Sequence, residues 1–466
     1  MIVLLLCSLL IYILIAWVLQ PKTIDRTSEK FICGAPQSRI AFSLIAANLS
    51  VAGGILALLS ALGTFGIWAA VAPLSFFAGL YLFYLIHKRM RGNEPFTILQ
   101  LNKVFAPAHV GNSVFVVYLA TSLLFILLLV LGWELYVGSQ VIASLLYERP
   151  TNSDQIIIAF LISITVIAYC HRGGFAAVVN TDLVQFGVCF LVLYEIISIN
   201  WYQLSTLRMV RVPIGHIDLG LFLISVIILN LVYQIQNPIT WHIARSVQMN
   251  GRKLGPVLVW AGLGLCFFWV IILYVGLAYQ GNSPYPELLM ARNPIDKALL
   301  LVGICAFLLS TVDSVAFSAV HLLNVAFVLY KKESLKNSNV NFEVPILIDS
   351  RIIVPLAFTV SLASSFGLMV WKPKIFQSLM AITGCIAVYA PIFFGIAAGI
   401  FPPIGRNRLR EGASHALFLG FFASALSQFL TFYLDLQNWV FGVIALSFLY
   451  GFVVLVLGRT RRTANE

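Results

Sequence analysis

Runs of about 20 apolar residues recur along the whole chain, and they constrain its fold more than any other feature. A helix of that length crosses a hydrocarbon core about 30 Å thick, since each residue adds about 1.5 Å. Of the 466 residues, 60% are hydrophobic and only 10% are charged, whereas soluble domains carry about 25% charged residues. The sequence therefore predicts an all-α polytopic membrane protein and excludes a soluble enzyme.

Thirteen apolar segments are predicted to be transmembrane helices. With the N-terminus outside, about three quarters of the 29 Lys and Arg residues fall in cytoplasmic loops, as the positive-inside rule requires. We therefore expect a multi-pass protein of the plasma (cell inner) membrane with a cytoplasmic C-terminus. The net charge of +11 is attributed to these loops, with no nucleic-acid partner. The segments are 2–20, 40–64, 66–87, 111–146, 155–170, 176–201, 217–238, 256–280, 295–330, 352–371, 375–400, 413–434 and 438–458.

Patterns typical of other protein classes are missing from the sequence. The seven cysteines are scattered and form no C-x-x-C pair, so neither a disulfide framework nor a metal site is expected. Segment 2–20 lacks a cationic start and a small-residue cleavage site, so it is interpreted as a retained span. No G-x-S-x-G or H-E-x-x-H motif occurs, and an enzyme is not expected.

A polar stripe on the ninth predicted span is the first sign of a site. Ser310, Asp313, Ser314, His321 and Asn324 fall on one face at about 100° per residue. Such a stripe lines a water-filled pathway or a cation site, and the alternative is hydrogen bonding between helices. A carboxylate in a membrane needs a partner or an ion, which favours the cation site.

The second predicted span contains small and polar residues, Ala46-Ala47-Asn48-Leu49-Ser50, followed by Gly53-Gly54. Glycines weaken a helix, and an unwound turn would free carbonyl oxygens for a hard cation. Close helix packing is the alternative reading of this segment. By residue counting, Ala46, Asp182 and Ser310 lie at similar depths in the inner half of the bilayer, which predicts that the three segments meet.

The segment at the start of the sixth span resembles a family signature. It reads Tyr, three residues, Gly-Gly, two residues, Ala-Val, two residues, Thr-Asp, two residues, Gln, and it resembles the signature of the sodium/solute symporter family. The run Ser310-Thr311-Val312-Asp313-Ser314 is similar to that family's sodium-binding span, and the resemblance covers essentially the whole chain. The signature residues are Tyr169, Gly173, Gly174, Ala177, Val178, Thr181, Asp182 and Gln185.

The resemblance implies a leucine-transporter-type inverted repeat and sodium sites. Repeat one would cover 40–201 and repeat two 217–400, with 2–20 and 413–458 as peripheral helices. A second sodium site is implied at Asp182, Ser310, Asp313 and Ser314. Two facing acids could instead share a proton, so proton coupling stays open. The first sodium site would use carbonyls of Ala46, Leu49 and Phe307 and the hydroxyls of Ser310 and Thr311.

The seventh predicted span ends Tyr233-Gln234-Ile235-Gln236-Asn237-Pro238, which suits a broken helix at a substrate site. A carboxylate in the fourth span, Glu134, would favour an amine-bearing or hydroxyl-rich solute. His242 is interpreted as an interfacial anchor, and His321 lies either along a pathway or near the cytoplasm. The candidate substrate residues are Asn48, Glu134, Gln140, Gln234, Gln236 and Asn237.

The function predicted from these features is sodium-coupled symport of a small organic solute, such as an amino acid, sugar, carboxylate or vitamin, by alternating access. A proton-coupled symporter of the same fold is the nearest alternative. A transporter-like sensor module is another, although the tail 459–466 carries no output domain. A polytopic membrane enzyme is the third alternative, and the absence of a large polar loop from the sequence argues against it.

Overall fold

The computed structural model describes residues 1–19, 33–34, 39–90, 99, 112–199, 216–251, 253–278, 293–334, 350–371 and 449. Within these ranges the chain is helical and contains no strand. A short π-helix, Val51–Leu56, and a 3₁₀ segment, Gly66–Ala70, join longer helices. The α-helices are α1 Ile2–Val18, α2 Ile40–Asn48, α3 Ala57–Phe65, α4 Val71–Met90, α5 Asn112–Leu146, α6 Asn152–Ile199, α7 His216–Gln236, α8 Pro238–Met249, α9 Leu254–Ala278, α10 Pro294–Ser334 and α11 Ser350–Trp371.

Eight stretches within the described ranges are long and apolar enough to cross a membrane, so the chain is an all-helical, multi-pass membrane protein. Several of these helices follow the apolar segments of the sequence closely, for example α9 against 256–280 and α11 against 352–371. The stretch Val51–Arg89 instead covers parts of two predicted spans, 40–64 and 66–87. The predicted spans 375–400, 413–434 and 438–458 lie outside the described residues, apart from residue 449. The count of thirteen spans therefore stays a prediction.

Four breaks interrupt the helices in the described part of the chain, and three of them have a local cause. The chain is extended at Ser50 (φ −77°, ψ 152°), between α2 and the π-helix. Gly66 and Gly174 have φ of 57° and 60°, a region that glycine enters without a steric penalty. The Gly174 kink divides α6 where the sequence separates segments 155–170 and 176–201. Pro238 begins α8 because proline favours the first helical turn.

Helix α10 forms the centre of the bundle. Of the 18 residues in its apolar stretch, 83% are buried inside the protein, against 44% for the corresponding stretch of α9 and 39% for that of α11. It packs against α5, α6, α2 and α11. Helix α9 instead exposes a row of large apolar side chains that includes Trp260, Leu263, Phe267 and Val270, as a lipid-facing helix does. Polar residues on α10 are thus enclosed by protein.

Candidate functional site

A buried carboxylate on α5 holds the break between α2 and the π-helix. Glu134 Oε2 accepts a hydrogen bond from Ala52 N at 3.1 Å, and Oε1 accepts one from Gly53 N at 3.2 Å. Ser50 Oγ accepts a third from Gly54 N at 2.7 Å. Gly54 N also donates to the Ser50 carbonyl at 3.1 Å. The N–H groups of Ala52 and Gly53 belong to the first turn of the restarted helix, where donors lack helical partners and a negative charge is favoured. Glu134 is therefore a tertiary cap for this helix.

The cap changes which carbonyl groups at the break are satisfied. In a continuous α-helix, Ala52 N would donate to the Asn48 carbonyl and Gly53 N to the Leu49 carbonyl. Both N–H groups donate to Glu134 instead, so neither carbonyl receives its usual helical donor. Gly54 also allows close packing here, because a Cβ at that position would lie 3.1 Å from the Asn48 carbonyl oxygen. This contact lies within the broken segment itself, so it supports the break, and close packing between helices stays an alternative interpretation.

Asp182 connects α6 with two other helices. Its Oδ1 accepts a hydrogen bond from Ser310 Oγ on α10 at 2.7 Å, and its Oδ2 accepts one from Ser43 Oγ on α2. All three side chains are buried. Ser43 lies one helical turn before Ala46, so the carboxylate ties α2 to α10 close to the break. The structure thus brings together the three segments that carry Ala46, Asp182 and Ser310.

A second carboxylate, Asp313, lies one turn further along α10. Its Oδ2 accepts a hydrogen bond from the Tyr169 hydroxyl at 2.5 Å. The other oxygen, Oδ1, and the hydroxyl of the adjacent Ser314 are buried and have no hydrogen-bond partner within the described part of the chain. Buried oxygens without partners are costly. They mark a place where a cation or a proton would be stabilised.

Two carbonyl oxygens of the first candidate sodium site already accept hydrogen bonds. The Ala46 carbonyl accepts from Leu49 N at 3.1 Å, and the Phe307 carbonyl accepts from Thr311 Oγ1 at 3.3 Å. A carbonyl oxygen has two lone pairs, so the Ala46 carbonyl retains capacity for a ligand. The Phe307 carbonyl lies inside the continuous helix α10 and also accepts the backbone N–H of Thr311, so a cation there would compete with these donors. These oxygens are neutral hard donors, the type that alkali and alkaline-earth cations prefer.

A cavity of about 170 Å³ lies beside the break. Its walls combine polar groups with aromatic side chains, as in many small-molecule sites. Glu134 is the only acidic or basic side chain among the described residues that line it. The polar lining residues are Asn48, Ser50, Glu134, Asn230, Tyr233 and Thr311, and the large aromatic ones besides Tyr233 are Phe76, Phe222 and Trp269.

The candidate substrate residues are divided between this cavity and other places. Asn48 and Glu134 line the cavity. Gln236 and Asn237 line a separate space of about 20 Å³, where Asn237 Oδ1 also caps α8 by accepting from Ile239 N at 3.0 Å. Gln234 lies in neither lining and accepts from Thr240 Oγ1 at 3.3 Å. Half-buried Gln140 also lies outside both linings.

Two residues of the site were not predicted from the sequence. Asn230 donates to the Ala72 carbonyl at 3.1 Å and to Ser75 Oγ at 3.0 Å while it lines the cavity. Its position one turn before Tyr233 and Gln234 is a periodic polar signal that could have indicated a lining face. Ser43 gave a weaker signal, since a single serine in an apolar helix is more often a packing residue.

Comparison with known proteins supports a transporter fold. No protein-family profile matches the chain, and no curated protein matches it. A Na⁺-coupled sialic acid symporter in a substrate-bound outward-open state is similar, with a TM-score of 0.58, 14% identity and coverage of 98% of this chain and 97% of that one.

A second similar structure is that of Mhp1, a nucleobase-cation-symport-1 family transporter, in a closed conformation with bromovinylhydantoin bound. Its TM-score is 0.50 at 12% identity, with 93% of this chain and 96% of that chain covered. At such low identity the likeness concerns the fold alone. The chain has the fold of a membrane transporter, and neither neighbour is an enzyme.

Proposed function

We propose that this protein is a sodium-coupled symporter that moves a small organic solute into the cell by alternating access. The observation that carries the proposal is the Glu134-capped break, which leaves the Asn48 and Leu49 carbonyls without helical donors beside a cavity. Broken helices with free carbonyls are how transporters of this kind bind ions in the membrane. The family resemblance of the Tyr169–Gln185 signature and the fold of the sialic acid symporter support the same function.

The first sodium ion is assigned to the break and α10. Carbonyl oxygens of Ala46, Leu49 and Phe307 and the hydroxyls of Ser310 and Thr311 supply neutral ligands. Asp182 accepts from Ser310 and Ser43, so its charge lies next to this site and offsets the charge of the ion. The proposal places the N-terminus outside and repeats at 40–201 and 217–400, with α2 and α7 as their first helices.

The solute is assigned to the cavity beside the same break. Aromatic walls suit an apolar body, and the carboxylate of Glu134 with the amides of Asn48 and Asn230 suits an amine-bearing or hydroxyl-rich solute. Thr311 lines this cavity and also belongs to the proposed sodium site. Ion and solute would thus share Thr311 on α10 and the neighbouring broken helix that carries Asn48 and Leu49. Binding both would favour the conformation in which these elements are held together.

Proton coupling is the second candidate function, and it is favoured by one observation. Asp313 Oδ1 is buried without a partner, near a second buried carboxylate, Asp182. Such a pair can retain a proton in place of a second sodium ion. The two functions differ in which gradient drives uptake.

The test is uptake into proteoliposomes that contain the purified full chain. Radiolabelled amino acids, sugars, carboxylates and vitamins are screened under an inward sodium gradient, an inward proton gradient, or neither. Sodium coupling predicts accumulation of at least one solute under the sodium gradient alone, abolished when potassium replaces sodium. Uptake that follows only the proton gradient would assign the second function, and uptake indifferent to both would contradict each proposal.

A further inference from the structure

Three metal-ligating side chains converge away from the proposed sodium and solute sites. Cys33 precedes α2, His242 lies on α8 and His321 on α10, and all three are buried. Their ligand atoms all lie within 4.8 Å of one another, with Cys33 Sγ 3.4 Å from His321 Nδ1. His321 is eleven residues beyond Ser310, about 16 Å along the helix. The cluster is therefore separate from the candidate sodium ligands.

The ligand types match a borderline-soft divalent cation. Zinc binds thiolate sulfur at about 2.3 Å and imidazole nitrogen at about 2.05 Å in a tetrahedron, so neighbouring ligand atoms lie about 3.3–3.6 Å apart. The Cys33–His321 separation already falls in that range. The other separations, at most 4.8 Å, require a contraction of about 1 Å.

The two imidazole rings set a further condition on coordination. The rings of His242 and His321 are stacked, with centroids 4.8 Å apart and planes 15° apart. Ring nitrogens bind a metal in the plane of the ring, so one imidazole must turn about its Cβ–Cγ bond for both to reach one ion. That torsion is broad and of low cost. Ser318 Oγ lies 3.5 Å from His242 Nδ1 and can orient that imidazole.

We infer that Cys33, His242 and His321 form a binding site for one divalent transition-metal ion of the zinc class. Binding would release the thiol proton of Cys33, because the thiolate is the ligand. The two nitrogens and one sulfur would leave a fourth position open to water. Nitrogen and sulfur ligands disfavour sodium and calcium, which distinguishes this site from the oxygen-lined one.

The position of the site gives it a mechanical consequence. The metal would link the segment before α2 to α8 and α10. Helix α2 ends at the break at Ser50, and helix α8 begins after the break at Asn237. Both are therefore half-helices of broken spans, and broken spans take part in the movements of alternating access. A bound ion would therefore restrain this side of the molecule, which the basic-residue distribution assigns to the cytoplasm. This consequence depends on the proposed function, whereas metal binding itself does not.

The experiment uses the purified full chain after a chelator has removed bound metal. The protein is titrated first with Co²⁺, which serves as a spectroscopic probe, and then with Zn²⁺. We expect one equivalent of Co²⁺ with a thiolate-to-cobalt charge-transfer band, displaced by Zn²⁺. Cys33→Ser and His321→Gln should lose the band and at least tenfold in Zn²⁺ affinity. Cys189→Ser is the matched control, since Cys189 is buried on α6 and is not one of the clustered ligands, and it should bind as the wild type does.

The outcomes separate this site from the proposed transport function. Loss of Co²⁺ binding with unchanged ²²Na⁺ binding in the folded variants would support a separate site. If a variant does not fold, the wild-type spectrum decides, because a missing charge-transfer band rules out thiolate ligation. Equal Zn²⁺ affinity in wild type and Cys33→Ser would also overturn the inference, whether or not the protein transports sodium.

Discussion

Replacing Glu134 with glutamine tests how the break is maintained. Glutamine keeps one carbonyl acceptor but turns an amide toward the second backbone N–H, so one of the two hydrogen bonds to Ala52 and Gly53 is lost with the charge. A hydrogen bond to a charged group contributes about 1.5–3 kcal/mol. The released N–H group can donate within the chain again, and the Leu49 carbonyl becomes less available to sodium.

The expected size of the effect follows from that energy. If only the broken form binds sodium, a variant that populates this form less has a higher apparent dissociation constant for sodium. A loss of 1.5–3 kcal/mol corresponds to an increase of about 10- to 150-fold. Equilibrium ²²Na⁺ binding to purified protein, by scintillation proximity, measures it without a known solute. Glu195→Gln is the control, because Glu195 is a buried carboxylate on α6 about 20 Å beyond Asp182 along that helix. Sodium affinity of folded Glu134→Gln within twofold of wild type would refute the reasoning.

Two further substitutions test other parts of the structure. Tyr169→Phe removes the hydrogen bond to Asp313 and should lower the stability of the detergent-solubilised protein by about 1.5–3 kcal/mol, seen as a lower thermal midpoint; an unchanged midpoint would argue against that contact. Gly174→Ala places a side chain at φ 60° and ψ −159°, a region that is essentially restricted to glycine, at a cost of about 1–3 kcal/mol. Gly187→Ala on the same helix meets open space and should be tolerated. Equal thermal midpoints for the two alanine variants would contradict the assigned kink.

The sequence predicted the helices better than it predicted the contacts between them. Apolar length and glycine or proline positions are local properties, so α7 and α10 begin and end close to their predicted bounds, and the kink falls at Gly174. The polar stripe on α10 was also readable, because helical periodicity places Ser310 and Asp313 on one face.

The role of Glu134 was not readable from the sequence. A carboxylate in a span indicates a functional group, but its partners Ala52 and Gly53 lie 82 and 81 residues away, and only tertiary packing of α5 against the break brings them together. The bond between Asp182 and Ser43 spans 139 residues for the same reason. The cluster of Cys33, His242 and His321 has no local spacing motif, which is why the scattered cysteines predicted no metal site.

The most direct test of the central claim is ²²Na⁺ binding to the Ser310→Ala/Thr311→Ala double variant. The matched control is Ser163→Ala/Thr165→Ala, which removes the hydroxyls of a buried Ser and a buried Thr on α6. Both hydroxyls donate to backbone carbonyls, as that of Thr311 does. The account predicts saturable sodium binding in the wild type and the control, and its loss in the Ser310/Thr311 variant. Wild-type sodium affinity in that variant would contradict the assignment of the ion to the break and α10.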